Sequence, residues 1–118
     1  MKFTRIELDT TELKSFANAI SQKMKKSYVN QSDNLIIVAD ESYKLRTNST
    51  QMNMVIIKKT ESKLIVDIIG AAGGTGVFNF SLWSESGFVK DRIKVLEKYC
   101  TENSIKIVSK LTKDNSPF

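Results

Sequence analysis

Residues 52–69 read Met52-Asn53-Met54-Val55-Ile56-Ile57-Lys58-Lys59-Thr60-Glu61-Ser62-Lys63-Leu64-Ile65-Val66-Asp67-Ile68-Ile69. Two runs rich in β-branched residues flank a short polar turn at Thr60-Glu61-Ser62, the pattern of a β-hairpin. Strands joined this closely pair antiparallel, because a parallel neighbour needs a crossover of roughly a dozen residues.

Working outward, Leu35-Ile36-Ile37-Val38-Ala39 is another β-branched run, with Tyr43 and Leu45 carrying it past a bend at Asp40-Glu41. Residues 2–8 form a first strand with Phe3, Ile6 and Leu8 as its apolar members. Between these lies a helical pattern: Leu13, Phe16, Ala17, Ile20 and Met24 recur at the spacing of one helix face. Asp9 followed three residues later by Glu12 reads as a capping box, so helix 1 is expected over residues 10–27. Residues 29–34 are polar and read as a turn. Downstream, residues 77–83 alternate as a further strand. Ser84-Glu85-Ser86-Gly87 then opens a second helix, whose apolar members are Phe88, Val89, Ile93, Leu96 and Cys100. Asn103 and Ser104 end it, and residues 105–111 form a last short strand.

The expected fold is therefore α+β: an antiparallel sheet of about five strands with two helices packed on one face. Its order is β-α-β-β-β-β-α with a final short strand, in one domain over residues 1–111 and a flexible tail over 112–118. This order resembles the TATA-binding-protein-like topology, a likeness of element order that carries no function.

Alternation divides the strands into two faces. Met52, Met54 and Ile56, with Leu64, Val66, Ile68 and then Phe78, Phe80, Leu82, are expected beneath the helices. The other face collects Asn53, Val55, Ile57, Lys59, Ile65, Asp67, Ile69, Asn79, Ser81 and Trp83. Val55, Ile57, Ile65, Ile69 and Trp83 would make it too apolar to stand in water, and such patches mark interfaces. A homodimer through this open face is the expected assembly. Coverage by chain elements is the competing structural reading.

Composition narrows the chemistry. The 118 residues contain one cysteine, Cys100, and no histidine. Intrachain disulfides, imidazole acid–base catalysis and the usual zinc sites are thereby excluded. Cys100 sits on an apolar helical stripe with no histidine to activate it, and reads as an inert thiol. No cofactor, no metal and no catalytic residue is expected, and the chain reads as non-enzymatic. It begins Met1-Lys2-Phe3-Thr4-Arg5 and leads into alternation, not into an apolar export segment, and no run spans a membrane. A cytoplasmic location is the expectation.

The net charge is +5, with 15 Lys and 3 Arg. Bidentate recognition of phosphate and bases favours Arg, so nucleic acid is an alternative partner and not the favoured one. Lys90, Lys94 and Lys98 fall on one stripe of helix 2 as a candidate basic patch, with Asp91, Glu97 and Glu102 close enough to offset them. Gly70-Ala71-Ala72-Gly73-Gly74-Thr75-Gly76 holds four of the five glycines, and Gly73, Gly74, Thr75 and Gly76 are the candidate ligand loop. Phosphate loops need a helix directly after the glycines. Here a strand is expected instead, which puts the helix start about 20 Å away at ~3.3 Å per residue and favours a plain hairpin.

The stretch from Gly73 to Phe80, with Glu85-Ser86-Gly87-Phe88 leading into helix 2, resembles a family of small uncharacterised proteins from low-GC Gram-positive bacteria. The likeness covers the C-terminal half. It implies a bacterial cytoplasmic protein of unknown function, with no catalytic residues to carry over.

Overall fold

The computed structural model of the chain describes residues 2–26, 28–44, 49–73 and 78–114, and the side chains of 3–26, 28–41, 52–70 and 87–112. In chain order the elements are β1 (Lys2–Leu8), α1 (Leu13–Ile20), β2 (Tyr28–Gln31), β3 (Leu35–Lys44), β4 (Ser49–Lys59), β5 (Leu64–Gly73), α2 (Phe78–Glu102) and β6 (Ile107–Asp114). The strands form one antiparallel sheet in the order β2-β3-β4-β5-β1-β6. The protein is α+β, with both helices contributing to the core on one face of that sheet.

The central hairpin forms as its sequence dictates. Thr60 N–H donates to the Lys63 carbonyl at 2.9 Å, and Lys63 N–H donates to Thr60 Oγ1 at 3.2 Å. Only Glu61 and Ser62 lie between them, so the register pairs Lys59 with Leu64, Ile57 with Val66 and Val55 with Ile68. Odd residues of β4 thus share a face with even residues of β5. The face expected for β5 is right and that for β4 is inverted. Val55 and Ile57 are 0% exposed beneath the helices, while Met52, Met54 and Ile56 stand on the open side. A loop of two residues sets this parity, and a one-residue change in it would flip every β4 side chain.

Residues 78–83 are helical, not a strand, and belong to the first turns of α2. A strand following β5 needs a free neighbour position, and β5 is already flanked by β4 and β1. Trp83 accordingly lies on a helix, and its side chain is outside the described residues. The missing strand is supplied by Tyr28–Gln31, a polar edge strand with all four residues exposed. Its partner is β3, and a turn closes the hairpin with Ser32 N–H on the Leu35 carbonyl at 2.8 Å. Having a single neighbour and no buried side, β2 lacks the apolar alternation by which strands are read.

α1 buries Leu13, Phe16, Ala17 and Ile20, the stripe its sequence shows. It is shorter than the 10–27 expected. Asp9 N–H donates to the Lys106 carbonyl at 2.9 Å, tying it toward β6, so the N-cap position falls to Glu12, which makes no side-chain cap bond. At the other end Lys23 takes φ 66° and turns the chain. Met24 stays buried, and Lys25 N–H donates to Asp40 Oδ2 at 3.0 Å on β3.

α2 buries Val89, Leu96 and Cys100 against the sheet. Tyr99 meets Phe16 of α1 edge to face, with centroids 5.7 Å apart at 73°. β6 continues to Asp114, beyond the 105–111 expected, and Thr4 and Thr112 share a hydroxyl hydrogen bond of 2.9 Å across it.

Candidate interaction surface

Register assigns every open-face residue. One row crosses the sheet as Asn30, Ile37, Ile56, Asp67, Arg5 and Leu111. The row on one side of it carries Tyr28, Ala39, Met54, Ile69 and Phe3; the row on the other carries Leu35, Lys58, Ile65, Glu7 and Ser109. Ile37, Met54, Ile56, Ile65 and Ile69 are only partly buried, and Met52, Tyr28 and Leu111 are about half exposed, at 47%, 53% and 49%. Of the five expected interface residues, the structure keeps Ile65 and Ile69 on this face. It moves Val55 and Ile57 into the core and Trp83 onto α2. Met54, Ile56 and Ile37 take their places, and the parity of the Glu61–Ser62 turn was the signal that identifies them.

A hollow of about 300 Å³ lies on this face, floored by Leu35, Ile56 and Ile65 and bordered by Arg5, Glu7, Lys58 and Asp67. Arg5 grips Asp67 with two parallel bonds, Nε to Oδ1 at 2.7 Å and Nη2 to Oδ2 at 3.0 Å. That hydrogen-bonded pairing, reinforced by the carboxylate charge, raises the Arg5 pKa still further above its ordinary value. Both Asp67 oxygens are thereby engaged by a guanidinium. Glu7 pairs with Lys63 and accepts from Ser109 Oγ at 2.8 Å. Those two hydrogen bonds hold its carboxyl below the usual glutamate range, the Lys63 bond being the larger cause.

The other candidates fare differently. Gly73 closes β5, and residues 74–76 lie outside the described residues. The expected strand after the cluster is absent: α2 begins at Phe78, so a helix start follows the glycines closely and the 20 Å separation does not hold. Lys90, Lys94 and Lys98 are all exposed on α2. Glu97, from the same helix, reaches across to Lys110 at 3.7 Å. Cys100 is a buried thiol, and burial, then the nearby Glu97 charge, pushes its pKa up. Among the described residues no group of three or more acidic or thiol side chains is placed to hold a metal ion. Among the same described residues no helix is long and apolar enough to cross a membrane.

Residues 8–100, most of this architecture, match the family described as a family of unknown function, DUF6054. The chain belongs to DUF6054. The matched span runs from the end of β1 through nearly all of α2, so it takes in the N-terminal half as well as the C-terminal half in which the sequence shows its resemblance. No curated protein and no solved structure matches the chain.

Proposed function

We propose that this DUF6054 protein is a non-enzymatic interaction module that pairs with a second copy of itself across the open sheet face. The observation that carries the reading is the composition of that face. Partly exposed Ile37, Met54, Ile56, Ile65 and Ile69 form its centre, and charges of both signs, Arg5 and Lys58 against Glu7 and Asp67, border it. A two-fold interface must be self-complementary, and a face with mixed charge meets its own copy without net repulsion. Six strands spaced at ~4.8 Å, about seven residues long at ~3.3 Å each, outline roughly 600 Å². That approaches the ~800 Å² per partner of a standard interface. A cytoplasmic setting in a low-GC bacterium belongs to the same reading, supported by the lone thiol and the abundance of Lys, Asn and Ile.

Light scattering across micromolar to millimolar concentrations tests it. A dimer that persists as salt rises, and that Ile56→Glu dissociates with the fold intact, is the expected result. A strict monomer throughout overturns it. The exposed stripe Lys90, Lys94 and Lys98 supports a second reading, a nucleic-acid binder. Its affinity would instead fall steeply with salt.

A further inference from the structure

On the helix-bearing side of the sheet a separate groove of about 240 Å³ runs between α1 and the β2–β3 hairpin. It exists because α1 packs over β3 and β4, while β2 lies past the helix at the sheet edge. Register turns Val29 and Gln31 of β2 toward the helix side, opposite Val38 and Ile36 of β3. Buried Ile36, Val38 and Ala17 make an apolar floor. One wall is a stripe of α1 with Lys14, Asn18 and Ser21 at successive turns. The opposite wall carries Val29, Gln31 and Lys26.

Charge separates this groove from the hollow on the open face. There the lining carries two carboxylates, Glu7 and Asp67, alongside its two cations, and Arg5 is ion-paired to Asp67. Here the lining holds two lysines and no acidic residue, and neither ammonium is paired with a carboxylate among the described residues. An apolar floor beneath unpaired cations, with a hydroxyl and two side-chain amides to hydrogen-bond, suits an anion that has an apolar body. The groove runs along α1 and reaches its carboxy-terminal end at Ser21, where carbonyl dipoles oppose negative charge. Arg92 offsets part of that by taking the carbonyls of Ile20 and Gln22, each at 2.7 Å. What remains favours one negative charge over a phosphate dianion. A water occupies about 30 Å³ of liquid, so the volume admits only a small ligand, below the ~300–1,000 Å³ of drug-sized sites.

We propose that this groove binds a small organic carboxylate, its charge taken by Lys14 and Lys26 and its apolar body laid on Ala17, Ile36 and Val38. The site is independent of the proposed dimer face, being on the other side of the sheet. The test is titration of the ¹⁵N-labelled full chain with sodium octanoate, followed by amide shifts. Saturable shifts centred on Asn18, Ser21, Val29 and Gln31 are expected. The double substitution K14Q/K26Q should weaken binding about tenfold, the scale of two partly exposed ionic contacts. Val29→Glu should weaken it comparably and keep the fold, since Val29 is 47% exposed. Absence of saturable shifts, equal affinity for 1-octanol or for inorganic phosphate, or undiminished binding by K14Q/K26Q would each overturn the proposal.

Discussion

Arg92 has no signature in the sequence, where it reads as one more cation on a charged helix. The structure leaves it 5% exposed. Its Nη1 donates to the Ile20 and Gln22 carbonyls, and its Nη2 meets Asp91 at 2.6 Å. A helix end leaves carbonyls without intrahelical partners, and here a side chain from the second helix supplies donors to that end of the first. Arg92→Ala should destabilise the protein by about 1–3 kcal/mol, the cost of stranding buried acceptors, read by urea unfolding. Arg92→Lys should recover only part of the loss, because a single ammonium nitrogen cannot hold both carbonyls through one nitrogen and Asp91 through another, as the guanidinium fork does.

Among the elements, the end of α2 shows how local geometry can be improved. Ser104 takes φ 55°, and Ile105 N–H returns to the Cys100 carbonyl at 2.8 Å. This is the Schellman closure, whose left-handed residue is usually glycine. Ser104→Gly should raise stability by about 0.5–1 kcal/mol by removing the Cβ conflict, measurable as a higher melting temperature. The stop itself was legible in Asn103-Ser104, as was α1 in its apolar stripe, because both depend on neighbours in sequence. Two elements were not. The run from Phe78 to Trp83 is short and apolar, and such runs fit either period. Its helical state depends on β1 occupying the place beside β5. In β4 both phases are apolar, Met52, Met54 and Ile56 against Val55 and Ile57, so composition alone could not choose a face. The register does choose, and it places buried Asn53 between Asp40 and Gly70. The candidate surface inherited that ambiguity. Ile65 and Ile69 were readable from β5, and the Arg5–Asp67 pair was not, since it joins residues 62 apart.

For the molecule as a whole, the bond network at Glu7 links stability to pH. Glu7 on β1 joins Lys63, at the head of β5, to Ser109 on β6. Its folded pKa is depressed, so the unfolded chain binds the proton more readily. The stabilisation is therefore present above the ordinary glutamate pKa and is lost as pH falls through the lower folded value. Glu7→Gln should lower the melting temperature near neutrality, and the gap from the parent protein should narrow steadily below about pH 4. A gap that stays constant through that window would show that the pairing contributes nothing.

The placing of β1 between β5 and β6 also has a consequence in time. As the chain is synthesised, Lys2–Leu8 emerges before either of its partners, and its pairing with β6 joins residues as far apart as Lys2 and Asp114. Closing so long a loop before any contact rewards it makes folding slow. β1 must therefore wait, unpaired, until the later strands β5 and β6 have been translated, and a nascent-chain chaperone would find its apolar residues, Phe3, Ile6 and Leu8, exposed for most of that interval.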